Sequence, residues 1–180
     1  MLEIDVPDTE FYDEVNNEFI FVKGARLRLE HSLVSISKWE SKWKEPFISR
    51  KAKTYEQTLD YIRCMTITQN VDDRLYQSLT NDDINKVNEY IQEEKTATTF
   101  NDRNAPPPGR QVVTSELIYF WMAQFNIPME CQKWHLSRLM TLIRIASIKN
   151  APEKKMSKRA ILAQNKSLNA ARRKAHGTKG

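Results

Sequence analysis

The sequence predicts an α+β fold that is mainly α-helical, with a small N-terminal antiparallel β-sheet, a helical bundle and a basic C-terminal helix or tail. Up to residue 30, apolar and polar residues alternate, as in half-buried strands. From residue 32 onward the apolar residues recur every three or four positions, as in amphipathic helices. Only 4 of the 180 residues are Gly, which argues against folds built from many tight turns.

The N-terminal strands are predicted from three short segments: residues 2–6, 19–22 and 26–30. The turns between them are expected at Asn16-Asn17 and Lys23-Gly24, because Asn and Gly tolerate positive φ. Residues 1–30 are therefore expected to be rich in β-structure.

Helices are predicted where capping residues precede helical periodicity. The expected elements are a helix over 32–44, a helix after the Thr54/Gln57 capping box, one or two turns over 73–79, and a helix after Thr80. Residues 94–111 lack periodicity and contain three consecutive prolines, so they are predicted to be a long loop.

The segment after Thr114 or Ser115 is predicted to be a helix that is apolar on every side. Such a helix must be buried, or must bury itself in a partner. Aromatic residues at helical spacing usually belong to a core, and Trp39 and Trp43 are predicted to do so. Here the apolar residues exceed what one core can cover. The candidate partner-binding aromatic residues are Tyr119, Phe120, Trp121, Phe125 and, on the next helix, Trp134.

Pro128 separates this helix from a longer one predicted over residues 130–149. Apolar residues fill most of its circumference, so it is expected to be the central core helix. Beyond Pro152, Ser157 is expected to cap a last helix with a thin apolar stripe that includes Ile161 and Leu168. That stripe is too small to hold the helix firmly without a partner.

Charge is distributed unevenly along the chain. The 28 Lys and Arg residues and 23 Asp and Glu residues give a net charge of +5. Residues 149–180 hold ten basic residues and one acid, a net charge of +9, so the other residues together carry −4. The predicted organisation is a single compact domain over 1–150, β-rich over 1–30 and helical over 31–150, followed by a basic helix or tail over 151–180.

Three interpretations of the basic tail remain open: docking onto an acidic protein surface, a solvated arm, and nucleic-acid binding. Docking is favoured. Nucleic acid is disfavoured because the tail has no aromatic residue for base stacking and the acidic body would repel phosphate. The candidate partner-binding basic residues are Lys154, Lys155, Lys158, Arg159, Arg172, Arg173 and Lys174.

The sequence predicts no catalytic, metal or cofactor site. Cys131 and His135 have a spacing that could place two metal ligands on one helical face, but the chain has no second such pair. Two acidic pairs at helical spacing are expected to lie on solvated faces rather than to act as acid/base couples: Glu56 with Asp60, and Glu89 with Glu93.

The chain is expected to belong to a reducing compartment and not to enter a membrane. Cys64 and Cys131 are far apart in sequence, and acidic residues interrupt any signal-like start. The most apolar stretch, residues 117–127, has about half of the roughly 20 residues that a spanning helix needs.

Six stretches of the chain are distinctive: LEHSLVSISKWE (residues 29–40), DYIRCMT (60–66), TATTF (96–100), SELIYFWM (115–122), ECQKWHL (130–136) and KKMSKR (154–159). Together they resemble the tail assembly chaperone family of long-tailed (siphovirus-type) bacteriophages. The resemblance spans most of the chain after residue 27.

The resemblance implies a non-enzymatic factor of the host cytoplasm that binds the tape measure protein during tail morphogenesis, with the tail tube protein as a second candidate partner. It also implies a largely helical protein that self-associates as a homo-oligomer, without a cofactor. Two alternatives stay open. One is a structural virion component of the tail or head-tail junction, and the other is a nucleic-acid-binding accessory protein that acts through the basic tail.

Overall fold

The computed structural model describes residues 1–14, 16–49, 51–100, 112–150 and 158–177. The chain divides into two units, Met1–Ser147 and Ile148–Gly180. A β region comes first and helices follow it, so the predicted α+β, mainly α-helical class is confirmed.

Four short strands form two separate antiparallel pairs. β1 (Leu2–Val6) pairs with β4 (Ala25–Leu29), and between them in sequence β2 (Thr9–Asp13) pairs with β3 (Glu18–Val22) as a hairpin. β2 was not among the predicted strands. Its residues alternate only between half-buried and exposed, so its period-two signal is weak.

The turn residues Asn17 and Gly24 are suited to their positions for different physical reasons. Asn17 has a φ of 55°, as expected for the β2–β3 turn. Gly24 does not have a positive φ, so the reason predicted for it is wrong. A Cβ atom on Gly24 would lie 2.4 Å from the Val6 carbonyl oxygen and 2.5 Å from the Pro7 carbonyl carbon. Glycine is therefore needed there because two backbone segments approach closely.

The first helices begin at the predicted caps. α1 (Leu33–Trp43) is capped by Ser32, and α2 (Tyr55–Met65) by Thr54 through the predicted capping box with Gln57. A 3₁₀ helix (Asp73–Ser78) then leads into α3 (Asn81–Gln92), which is capped by Thr80. The predicted helix starts are therefore confirmed. They could be predicted because a capping residue and its partner lie within a few positions of each other in the sequence.

The second half of the first unit contains α4 (Ser115–Gln124), a 3₁₀ helix (Met129–Lys133) and α5 (Leu136–Asn150). The predicted continuous helix over 130–149 is therefore wrong at its start. The Leu136 N–H donates to the His31 carbonyl oxygen at 2.8 Å, and His135 forms a β-bridge with Ser32. These contacts interrupt the helical hydrogen bonding and tie this segment to the start of α1.

The core is centred on α1 and α2 rather than on α5. Leu33, Ile36 and Trp39 of α1 are almost fully buried, as are Ile62 and Met65 of α2. By contrast, α5 buries only three residues along its 15, so its predicted role as the central core helix is wrong. Of the four tryptophans, Trp39 lies in the core and the other three are half-buried against it.

A buried carboxylate links α1 to α4. Glu40 Oε1 accepts the Phe47 N–H at 2.8 Å, and Glu40 Oε2 accepts the Ser115 N–H at 2.8 Å. Ser115 is the first residue of α4, and a negative charge is stabilised at a helix N-terminus. This single side chain therefore holds the start of α4 against the end of α1.

The second unit contains α6 (Lys158–His176), where a basic helix was predicted. Its predicted cap, Ser157, lies outside the described residues. Ile161, Leu162 and Leu168 are exposed on it. Among the helices of the described residues, none combines the length and the apolar character needed to cross a membrane.

Replacing Gly24 should destabilise the β region. We expect Gly24→Ala to lower the free energy of unfolding by about 1–3 kcal/mol, because its Cβ would overlap backbone atoms that cannot move independently. The control is Lys23→Ala at the neighbouring exposed residue, which should change the free energy of unfolding by no more than about 0.5 kcal/mol. Urea titration measures both, and an unchanged midpoint for Gly24→Ala would contradict the close-approach argument.

Removing the Glu40 carboxylate should destabilise the α1–α4 junction. We expect Glu40→Ala to lower the free energy of unfolding by about 3 kcal/mol, because two buried N–H groups lose their acceptor. Ser115→Ala is a matched control at the same junction, since its hydroxyl finds no hydrogen-bond partner among the described residues. Equal losses for the two variants in chemical denaturation would show that the carboxylate is not the link.

Candidate functional site

A groove of 970 Å³ opens between α4, α5 and the segment of residues 94–100. Its apolar walls consist of Phe100, Trp121, Phe125, Met140 and Ile143. Hydroxyl groups of threonine and serine residues line much of the remainder, with one acidic and one basic residue, Glu94 and Arg144. The groove can therefore accept an apolar segment and also offers neutral polar partners along its length.

The α4 wall follows from the way this helix divides its apolar residues. Ile118 and Met122, four residues apart, are fully buried and face the core. Trp121 and Phe125, also four residues apart, stay half-buried and line the groove. The helix is apolar on more sides than the core covers, as the sequence predicted, and Trp121 and Phe125 place part of this excess at the groove.

The opposite wall comes from α5 and from the extended segment that follows α3. Met140, Thr141 and Arg144 lie on one side of α5 and line the groove. The Arg144 guanidinium lies 4.0 Å from the centre of the Phe100 ring, a cation–π contact that holds the ring at the groove edge. The contact thus joins the two parts of this wall, α5 and the segment that ends at Phe100.

The other aromatic residues proposed for partner binding do not line the groove. Tyr119 is half-buried, and its hydroxyl donates to Gln132 Oε1 at 2.8 Å. Phe120 is 60% exposed on another side of α4. Trp134 lies against a separate cavity. Of the five predicted aromatic residues, Trp121 and Phe125 are the pair that the structure brings together.

The predicted basic residues belong to α6 or lie near its start. Arg159, Arg172, Arg173 and Lys174 are exposed on this helix. Lys158 is its first residue, and Lys154 and Lys155 lie outside the described residues. Six Lys and Arg residues and no acid occur over Lys158–His176, so this helix carries a strong positive charge.

Sequence reasoning missed the groove residues outside α4. Met140, Ile143 and Arg144 were treated as parts of a core helix, and Phe100 as part of a loop. A signal existed for Phe100, because it is the one large apolar residue between Ile91 and Val112. Nothing local indicates that it would meet α5.

A second cavity of 570 Å³ is lined by polar and charged groups that largely pair with one another. The Arg138 guanidinium stacks over the Trp134 ring at 4.4 Å. The Tyr90 hydroxyl donates to Glu30 Oε1 at 2.8 Å, and burial, together with the Glu30 charge, raises the pKa of Tyr90. This cavity therefore offers a ligand less apolar surface than the groove does.

Two buried histidines join the β region, α3 and α5 beneath that cavity. The rings of His31 and His135 lie 5.2 Å apart. His135 Nε2 must carry its proton, because it donates to the Tyr90 carbonyl oxygen at 3.1 Å, and His135 Nδ1 accepts from the Ser137 hydroxyl at 2.8 Å. His31 Nδ1 lies 2.5 Å from the Tyr61 hydroxyl. Each ring therefore has its own hydrogen-bond partners, Tyr61 for His31, and Tyr90 and Ser137 for His135.

Neither cysteine lies in a metal-binding or activated arrangement within the described part of the chain. The Cys131–His135 spacing does not lie on one helical face, because the α-helix begins only at Leu136. The described residues contain no cluster of three or more His, Cys, Asp or Glu that could hold a metal. Burial raises the pKa of Cys64 to about 11, so this thiol is a weak nucleophile at neutral pH.

One of the two acidic pairs differs from its prediction. Glu56 is exposed, but Asp60 is buried and accepts the Trp43 indole N–H at 2.8 Å and the Lys42 ammonium. The expectation that Asp60 lies on a solvated face is therefore wrong. The partners of Asp60, Trp43 and Lys42, belong to α1. A helical wheel of α2 alone cannot show contacts with another helix.

Acid should destabilise the fold through His31. Burial, the neighbouring His135 and the Lys53 charge lower the pKa of His31 to about 3, well below the 6.5 of an unfolded histidine. The unfolded state therefore binds more protons between these values, and stability falls as pH drops below 6.5. Between pH 7.5 and 5.5 this linkage should cost about 1.4 kcal/mol.

The control is His31→Gln, which removes the titrating ring and keeps a hydrogen-bonding group opposite Tyr61. Urea unfolding at the two pH values should show a loss that is smaller by about 1.4 kcal/mol in the variant than in the wild type. Identical pH dependence in both proteins would mean that His31 is already accessible to protons in the folded state.

Comparison with known proteins gives no further guide to function. No family model, no curated protein sequence and no solved structure matches the chain. The resemblance to tail assembly chaperones therefore stays a prediction, and the groove is the structural starting point for a function.

Proposed function

We propose that this protein is a non-enzymatic tail assembly chaperone of a long-tailed bacteriophage, which binds an apolar helical segment of the tape measure protein in its groove. The groove between α4, α5 and residues 94–100 is the observation that carries the proposal. The host cytoplasm is the proposed place of action, with the tail tube protein as a second candidate partner.

The shape and chemistry of the groove support binding of a helix. An amphipathic helix docks through apolar side chains at positions i, i+3, i+4 and i+7. Trp121 and Phe125 offer large half-exposed rings on one wall, and Met140 offers a flexible side chain on the other. Methionine and aromatic surfaces adapt to different apolar sequences, which suits a long client with many similar segments.

The neutral hydroxyls around the apolar walls support a holding function. The Ser137 and Thr141 hydroxyls already donate within the chain, to His135 Nδ1 and to the Ser137 carbonyl oxygen. The Thr98 and Thr99 hydroxyls lie at one edge of the groove, and the Ser147 hydroxyl lies at the other. They keep the empty groove hydrated and can satisfy polar groups on a bound helix without a fixed charge pattern. Binding that is broad in sequence and reversible is what a chaperone needs from its client site.

The second candidate function, nucleic-acid binding through α6, has weaker support. The positive charge of α6 would attract phosphate. However, residues 158–176 contain no Phe, Tyr or Trp, so the helix offers no stacking platform for bases.

Co-expression with the tape measure protein of the same phage tests the proposal. The fraction of soluble client should rise when the wild-type chain is present. Trp121→Ala should weaken client binding about 30-fold or more, since truncating an aromatic anchor costs about 2 kcal/mol or more. Ser147→Glu, which adds a charge at an exposed groove position, should also weaken binding without removing a core contact.

Phe120→Ala is the matched control. It removes an aromatic side chain that is 60% exposed and does not line the groove, so client solubility should be unchanged. Equal client solubility with and without this chain overturns the chaperone proposal. Loss of binding in Phe120→Ala together with normal binding in both groove variants would place the client elsewhere on α4.

A further inference from the structure

The second cavity, beside the start of α5, collects positive charge from three separate segments of the chain. Lys95 comes from the extended segment after α3, Lys133 ends the 3₁₀ helix that precedes α5, and Arg138 belongs to the first turn of α5. Among the described residues that line the cavity, Glu30 is the one acid. Three cations and one acid give the lining a net charge of +2, although residues 1–148 together carry −4.

Hydrogen bonds of the backbone hold these segments next to one another. The Lys95 N–H donates to the Ser137 hydroxyl at 3.1 Å, which fixes this residue beside the start of α5. The Trp134 N–H donates to the Cys131 carbonyl oxygen at 3.1 Å and closes the 3₁₀ helix. The three cations therefore converge because the backbone segments that carry them are held in place.

Two of the three cations have no acidic partner within the described part of the chain. Lys95 pairs with Glu93. Lys133 and Arg138 are exposed and form no such pair there. Arg138 instead stacks its guanidinium over the Trp134 ring at 4.4 Å, and a stacked guanidinium keeps the N–H groups at its edge available to an anion. These two side chains can bind an anion without breaking an existing ion pair.

The start of α5 adds positive potential to the cavity. The N-terminus of a helix carries a partial positive charge, so an acid in the first turn stabilises the helix and a base there destabilises it. The helices α2, α3 and α4 each have an acid in the first turn, whereas α5 has none and places Arg138 there. A bound anion would offset both the helix dipole and the Arg138 charge.

The size of the cavity indicates an organic anion. Its volume of 570 Å³ lies in the range of sites for small organic ligands, and a bare inorganic ion would leave most of it empty. Trp134 and Tyr90 contribute ring surface to the lining, which suits a short carbon skeleton. Because two cations lack a partner, a ligand with two separate negative charges matches the site best. A carboxylate also fits the planar fork of an arginine.

We propose that this cavity binds a small dicarboxylic acid. One carboxylate accepts two parallel N–H groups of Arg138, and the other pairs with the Lys133 ammonium. The Trp134 ring holds the guanidinium in its orientation, so Trp134 acts as a positioning residue. The proposal goes beyond client binding, because the cavity and the groove have no lining residue in common among the described residues.

Isothermal titration calorimetry of the full chain with glutarate tests the proposal. Glutarate should bind in a saturable manner, and its dissociation constant should rise between about 0.05 M and about 0.3 M salt, because salt screens ion pairs at an open site. Arg138→Gln should raise this constant about tenfold or more, since hydrogen bonds to charged groups are lost. Arg138→Lys should give an intermediate constant, because lysine keeps the charge but not the fork.

The matched control is Lys38→Gln, which removes the charge of an exposed lysine of α1 that does not line the cavity. Its affinity for glutarate should equal that of the wild type. Glutaramide, which has the same carbon skeleton without the charges, should not bind.

Three results would overturn the proposal. They are the absence of saturable glutarate binding at millimolar concentrations, equal losses of affinity in Arg138→Gln and Lys38→Gln, and tighter binding of inorganic phosphate than of glutarate. Client solubility on co-expression should be the same for Arg138→Gln and the wild type, so failure of this proposal and failure of the client proposal are seen separately.

Discussion

The groove depends on the direction of α4, and the buried carboxylate of Glu40 sets that direction. Its two oxygens accept backbone N–H groups from Phe47 and from Ser115, the first residue of α4. A carboxylate removed from water is tolerated only when such partners satisfy it. The interaction therefore couples α1, the loop after it and α4. With the start of α4 held, Ile118 and Met122 enter the core and Trp121 and Phe125 remain at the surface.

The same constraint explains why so much aromatic surface stays uncovered. The core of the first unit is filled from α1 and α2, and α4 and α5 approach it from one side each. Trp121, Phe125 and Met140 pack against the core with only part of their surface, and the remaining part lines the groove. Exposed apolar surface lowers solubility, and contiguous patches of it are typical of interaction sites.

The parts of this fold that follow from sequence are those with local causes. Ser32, Thr54 and Thr80 cap helices where their capping patterns predict them. The start of α5 was mispredicted because a distant carbonyl, that of His31, takes the Leu136 N–H. Asp60 was misplaced for the same kind of reason, since its partners lie on another helix. One groove wall was predictable from the all-round apolar α4, whereas the meeting of Phe100 with Arg144 depends on tertiary contacts.

The lining of the groove limits which partners it can bind, because it carries almost no net charge. The groove has an apolar centre, neutral hydroxyls and one residue of each charge. A helix as basic as α6 would lose hydration there without gaining ion pairs, so the groove discriminates against it. A segment with one apolar face and few fixed charges loses the least hydration when it enters such a groove, so the lining itself favours an amphipathic segment of low charge.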